Sequence, residues 1–486
     1  MEFSGGFEQG KLVSALLEPV GIHTSITCQG QSLTRKVSPM KAGWFAKVIK
    51  ISVLISVIYF CALALNPALV YSAEAKEVFT LTSTVKSALD ANLDLKSSAE
   101  GILAAEAARK VSRAAFLPTL TTTYQAKHNY EERRSALLGV TVPENQFTFV
   151  ATITQTIFAG FAVKNQYDIA KIGLDLAKYD ERRVRHLVIF DAKQAFFQLL
   201  KTRKLLDVAQ QTVKQIDAQK EVARHFYEVG MSPRNDLLQA QVQLANAKQR
   251  LVSAQNTAAI AEANFNTILR RPLDAAVHTE EANTYNPFDL NLDDCLADAA
   301  NRRPEIIIAD ANVNIATKQI ELAKTNYFPK ISLSYNNYQL GTDWAVNGGE
   351  GISDPSSWDV TAVASWELWS SGADYYGVKK SISEFKQAKH QKASLLDAIS
   401  LEVKQAYLRA KEAESNIATS ATAIEQAKEN YRINEERYKE QVATSTDVLD
   451  AQTLLTQSMT NYYNALYDFK IAKATLLKAI GSENEI

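Results

Sequence analysis

The stretch Phe147-Thr148-Phe149-Val150-Ala151-Thr152-Ile153-Thr154-Gln155-Thr156-Ile157-Phe158 decides the fold. Phe147, Phe149, Ala151, Ile153 and Ile157 alternate with Thr148, Val150, Thr152, Thr154 and Thr156. That period of two predicts a β-strand with one apolar and one polar face. The pattern returns 211 residues later, where Trp358, Val360, Ala362, Ala364, Trp366 and Leu368 alternate with Asp359, Thr361, Ser365 and Glu367.

The same offset of 211 relates residues 84–270 to 295–481 without a gap. Phe116-Leu117-Pro118 falls on Tyr327-Phe328-Pro329, Tyr227 on Tyr438, and Asp236-Leu237-Leu238 on Asp447-Val448-Leu449. A repeat this long duplicates a whole half-protein rather than a solenoid module. Each half reads the same way. A helix opens it (Leu81 to Ala115; Asp293 to Asn326) and stops at Pro118 or Pro329, since proline cannot continue a helix. A β-hairpin follows, 118–158 and 329–369, with a polar or Gly-rich loop. A very long helix comes next, from about Val163 to Val229 and from about Tyr375 to Gln441, roughly 100 Å at 1.5 Å per residue. A short break leads to a returning helix, Asp236 to Arg270 and Asp447 to Ile480.

In the second long helix Ile399, Val403, Ala406, Ala410, Ala413 and Ile417 step alternately by four and three. Val448, Gln452, Leu455, Met459, Tyr462, Leu466 and Phe469 do so in its partner. This heptad seam predicts an antiparallel coiled coil. The expected fold is α+β, mainly α: two tandem repeats, each a β-hairpin plus long coiled-coil helices. Repeat 1 covers 76–270 with its helical hairpin at 162–270. A linker runs from 271 to 294. Repeat 2 covers 295–481 with its helical hairpin at 374–480, and 482–486 is a tail.

Upstream, Ile51 to Leu65 is apolar, preceded by Lys41, Lys47 and Lys50 and followed by Ala73-Glu74-Ala75. That layout predicts a secretory signal peptide over 40–75, the alternative being an N-terminal anchor. Residues 1–39 fit no such pattern and read as a non-native extension. Only Cys295 of three cysteines lies beyond the cleavage site, so the exported chain is not a disulfide scaffold. Net charge is −1, which argues against a nucleic-acid partner. No apolar run long enough for a helical span lies beyond residue 76. The chain lacks a His-Glu-x-x-His, a paired-Cys motif and a phosphate-cradling Gly loop, so the reading is no enzyme, no metal and no cofactor.

Roughly 12 alternating residues per strand suffice to cross a bilayer when tilted. The alternative is a soluble hairpin, but the helices leave no apolar surface at that end to cover it. Four strands cannot close a barrel, and open edges are not tolerated in lipid. The chain must therefore oligomerise, dimers giving 8 strands and trimers 12; an eight-stranded barrel is filled by its own side chains.

The repeat, the order of strands and long helices, and the hairpin tips resemble the TolC-like outer-membrane efflux channel family, across residues 78–482. The resemblance implies a homotrimer with a 12-stranded β-barrel in the outer-membrane lipid of a Gram-negative bacterium, joined to a periplasmic α-helical barrel. It also implies two partners, a periplasmic adaptor (membrane fusion) protein and an inner-membrane pump of RND, ABC or MFS type. Export of small molecules, drugs or metal ions is the function implied; a type I protein secretion duct is the alternative, and a periplasmic coiled-coil adaptor a more distant one.

Two groups of residues carry the candidate site. Val229, Gly230, Met231 and Ser232 in the first tip, with Gln441, Val442, Ala443 and Thr444 in the second, resemble the family's adaptor-docking turns. Gly230 equally suits a helix C-cap. Asp447 and Asp450, with Asp236, resemble the acids that ring the family's periplasmic entrance, and three copies would place like charges around a narrow pore. Helix capping is the competing reading, sufficient for Asp236 and weaker for Asp450. Tyr438 is a candidate hydrogen-bonder of the closed gate. Gln441 stands where the family often has Gly, and Ala443 where a basic residue can lock the gate.

Overall fold

The computed structural model describes residues 78–137, 139–281, 285, 287 and 289–482. The extension at 1–39, the signal peptide at 40–75 and the tail beyond Ser482 lie outside the described residues.

The two long helices are α3 (Ala162–Glu228) and α7 (Ala373–Lys439), each of 67 residues. Their returning partners are α4 (Arg234–Ile268) and α8 (Ser445–Ala479), each of 35 residues. All four boundaries of the second pair fall 211 residues after those of the first. α4 packs on α3 and α8 on α7, while α3 also packs on α8, giving the lateral order α4-α3-α8-α7. The seam buries Ile399, Val403, Ala406, Ala410, Ala413 and Ile417 of α7 and Val448, Gln452, Leu455, Leu466 and Phe469 of α8. A cluster around Phe196, Phe265, Leu199 and Tyr467 joins the hairpins midway.

The opening helices differ from expectation. Each is broken in two: α1 (Leu81–Ala91) and α2 (Leu93–Ala114) in the first half, α5 (Leu292–Arg302) and α6 (Pro304–Ala323) in the second. Arg303 takes extended angles because the Pro304 ring disfavours helical geometry in the residue before it. Asn92 does the same job without proline, ending α1 and capping α2 with its side chain, which accepts from Leu95 N at 2.9 Å. Arg303 is buried at its break and held by Glu305 and Glu402.

The linker 271–294 is also more structured than read. His278–Thr279 (β6) pairs in parallel with Val78–Phe79 (β1). Arg203 donates to Val277 O at 2.7 Å, and Phe79 packs edge-on against Phe265.

The strands form one sheet of four in the order β2 (Thr119–His128), β5 (Asn145–Ala159), β7 (Lys330–Gly341), β8 (Ser356–Ser365), all antiparallel. A small hairpin, β3 (Arg133–Ser135) and β4 (Gly139–Val142), occupies the first loop. Directly opposed residues share a face. Leu120, Tyr124, Phe149, Ile153, Leu333, Tyr335, Trp358, Val360 and Ala362 therefore lie on one side. Thr121, Thr123, Thr152, Thr154, Ser332, Ser334, Asn336, Asp359 and Thr361 lie on the other. On that polar side Thr152 donates to Asn336 at 2.8 Å and Asn336 to Asp359 at 2.9 Å, a ladder across three strands. A bulge between Thr156 and Phe158 lets Phe158, not Ile157, oppose Ile331. β8 ends at Ser365, so Trp366 and Leu368 lie beyond the strand.

Each strand-to-helix elbow needs two left-handed residues, Gly160-Phe161 and Ser371-Gly372. A Cβ at Gly160 would lie 2.5 Å from Thr325 O, so only glycine fits that elbow.

Candidate functional site at the paired hairpin tips

The tips have one backbone geometry. In the first, Gly230 N donates to Tyr227 O at 3.0 Å and Met231 N to Phe226 O at 2.7 Å. In the second, Gln441 N donates to Tyr438 O at 3.0 Å and Val442 N to Arg437 O at 2.9 Å. This pair of bonds closes a helix through one left-handed residue. Gly230 takes φ 75° without penalty, but Gln441 takes φ 61° as a side-chain-bearing residue. Val229, Met231 and Val442 are exposed, while Ala443 is half-buried.

The acids separate into three environments. Asp447 belongs to a capping box: its carboxylate accepts from Thr444 N at 2.9 Å and Thr444 Oγ1 at 2.8 Å, and its own N–H donates to Thr444 Oγ1 at 3.2 Å. These bonds, with a smaller contribution from the nearby Arg437 charge, hold its pKa below the usual carboxylate value. Asp450, one turn on, is exposed, and no hydrogen bond or ion pair reaches it from the described residues. Asp236 is half-buried in the first turn of α4, its N–H donating to Pro233 O at 3.1 Å.

Tyr438 is buried, with its ring 5.3 Å from that of Phe226 on α3. Burial, then the Asp236 charge, push its hydroxyl pKa up, with the Ser445 hydroxyl opposing. Tyr438 OH and Ser445 Oγ lie near each other, yet neither makes a hydrogen bond of standard geometry. Tyr438 is thus packed on Phe226 with its hydroxyl near Ser445 and within range of the Asp236 charge. Asp447 and Asp450 are exposed in the first turns of α8.

Contacts between the two hairpins escaped the sequence reading. Gln441 Nε2 donates to Met231 Sδ at 3.2 Å, and Thr446 Oγ1 to Gln239 Oε1 at 2.8 Å. Farther up, Gln452 Nε2 donates to Gln215 Oε1 at 2.8 Å. Arg437, which donates to Val442 O at 3.3 Å, puts a basic group beside the tip. Only the conspicuous placement of Gln441 in a turn gave any signal of these.

The chain is similar to the outer membrane efflux protein BepC of Brucella suis, 21% identical over 412 residues that span 83% of this chain and 85% of that one. It is also similar to the probable efflux pump outer membrane protein TtgC of Pseudomonas putida, 21% identical over 82% of either chain. The fold matches the crystal structure of the Campylobacter jejuni CmeC outer membrane channel with a TM-score of 0.74, covering 86% of this chain and 92% of that one at 17% identity. The family model "Outer membrane efflux protein" matches residues 84–269 and 295–482, the two repeats in turn. On that match the chain belongs to the outer membrane efflux protein family.

Proposed function

We propose that the protein is a passive duct through the outer membrane for small-molecule, drug or metal-ion efflux, closed by three copies of the chain. The sheet carries this reading. Among the described residues it has one apolar face and two unpaired edges, β2 and β8. An edge in hydrocarbon leaves N–H and C=O groups unsatisfied at several kcal/mol each, so another copy must pair with it. Two copies give eight strands, a barrel filled by its own side chains; three give twelve and leave room for transport. The helices carry complementary free flanks. Leu238, Val242 and Val252 are exposed on α4, and Leu401 and Leu408 on α7, at opposite ends of the lateral order. A heterologous contact of α7 with the next copy's α4 closes into a ring.

The tips form the periplasmic entrance in this reading. Exposed Val229, Met231 and Val442 suit an adaptor protein, and the Tyr438–Asp236 neighbourhood with Asp447 and Asp450 sets the gate. The names of the curated relatives favour efflux over protein secretion. Detergent-extracted protein tests the assembly: its mass by light scattering should equal three chains, and it should conduct ions in planar bilayers. A monomeric or non-conducting product overturns the proposal.

A further inference from the structure

The loop after β7 turns back onto the sheet instead of projecting away from it. Gly348 N donates to Leu340 O at 2.9 Å and Thr342 N to Gly348 O at 3.0 Å, so the chain returns beside the strand end. Two independent observations fix the side on which residues 342–347 lie. Gly341 opposes Phe147, on the apolar face, and a Cβ there would sit 2.5 Å from Val346 Cα. Tyr124 opposes Phe149, on the same face, and its hydroxyl donates to Trp344 O at 2.9 Å. The strap therefore leaves β7, passes the end of β5 and reaches β2 along the apolar face.

Trp344 is carried by this strap and is 80% exposed. Trp358, also on the apolar face, is 67% exposed and stacks on Tyr335 with ring centroids 6.2 Å apart. Tyr124 and Phe149 share a level with Gln339, whereas Trp358 faces Asn337. Tyr124, whose hydroxyl holds the Trp344 carbonyl, thus stands two residues nearer the loops than Trp358, about 7 Å along the strand. At that end Asn337, Gln339 and Ser356 bring polar side chains onto this face among Tyr124, Phe147 and Phe149. Indole rings collect at that depth because their ring is apolar and their N–H wants a polar partner.

We propose that the strap is an outer-leaflet anchor: Trp344 seats in lipid at the boundary between head groups and acyl chains, while the Tyr124 bond clips β7 to β2. The anchor rests on the reading of the apolar face as lipid-facing. Single-tryptophan versions of the full chain, keeping either Trp344 or Trp358, test it in phosphatidylcholine vesicles brominated near the glycerol or near the chain end. Trp344 should be quenched about twofold more by bromine near the glycerol than by bromine near the chain end, and little by aqueous iodide. Strong iodide quenching without a bromine effect would overturn the anchor, as would quenching by neither, which would place Trp344 against a neighbouring copy. The Trp358 version separates the two readings. If it is quenched by bromine while Trp344 is not, only the anchor fails; if neither responds, the lipid-facing assignment of the sheet fails too. Gly341→Ala adds a second measurement. Its Cβ displaces the strap, so Trp344 emission should shift to the red while Trp358 emission stays put; an unmoved Trp344 spectrum counts against the anchor.

Discussion

Replacing Asp450 with Ala and, separately, Thr444 with Ala divides conduction from capping at the tip. Thr444 caps α8 through Asp447 N at 3.2 Å and forms half of the capping box. Losing such a cap costs about 1 kcal/mol, or about fivefold in the local opening equilibrium. Asp450 is exposed, with no partner among the described residues, so its removal leaves tip stability within about 0.5 kcal/mol. Its expected effect is on ions. At a narrow mouth, a cation about 6 Å from each of three carboxylates in water is enriched roughly fivefold after screening at physiological salt, and a divalent cation roughly thirtyfold. Amide exchange of the tip peptide reads the first effect, and single-channel recording with added divalent cations reads the second. Thr444→Ala should speed exchange with nearly native conductance. Asp450→Ala should leave exchange alone and weaken divalent block by about an order of magnitude. Block and cation preference unchanged in Asp450→Ala would refute the assignment of Asp450 to the entrance, and unchanged exchange in Thr444→Ala would refute the capping argument.

Gly160→Ala should cost about 3 kcal/mol in thermal unfolding, from a strained φ and a Cβ placed on Thr325 O, whereas Ser371→Ala at the equivalent elbow should be close to neutral. Arg303→Met leaves Glu305 and Glu402 without their buried partner and should cost about 3 kcal/mol, read by circular dichroism melting. Burial raises the Glu305 pKa, but the Arg303 hydrogen bond, its own backbone bond and the Arg303 charge outweigh burial and hold it below 4.5. That stabilisation is present above the ordinary glutamate value and is lost as pH falls through the lowered one, so melting should decline only below about pH 4.5 and less steeply in Arg303→Met. Tyr438→Phe deletes a buried hydroxyl that lacks a standard partner while keeping the ring against Phe226. The tip should be as stable or up to about 1 kcal/mol more so, with a larger resting conductance; an unchanged conductance removes the hydroxyl from the gate.

Local periodicity carried most of the fold into view. The four-three stepping from Ile399 to Ile417 and the alternation from Phe147 to Ile153 are repeated local choices, each reinforcing the next, and both elements formed as read. What escaped was either too short or too distant. Two residues, Val78 and Phe79, cannot announce a strand by pattern, and their pairing is set by the burial of Phe79 against Phe265. Pro304 was a visible sign of a helix break, but Asn92 sits in an Ala- and Lys-rich run where helix propensity hides a cap. Gln441 and Met231 lie 210 residues apart, and nothing local in either tip records that they meet. The site was legible as two turns with nearby acids; its division into a capping acid, a half-buried acid beside a tyrosine and a solvated acid needed side-chain positions.

The shared offset of every long-helix boundary bears on how such a chain can change in length. One residue added inside α3 advances everything beyond it by about 1.5 Å and turns it by about 100°. The inserted copy would then present polar positions to the seam, and its tip would overshoot its neighbour's. Deletions and insertions in the rods are tolerable only in multiples of a heptad and only in both halves together. Residues 352–354, beyond the strap, carry no such tally, and lineages of this architecture should vary in length there while the rods stay fixed.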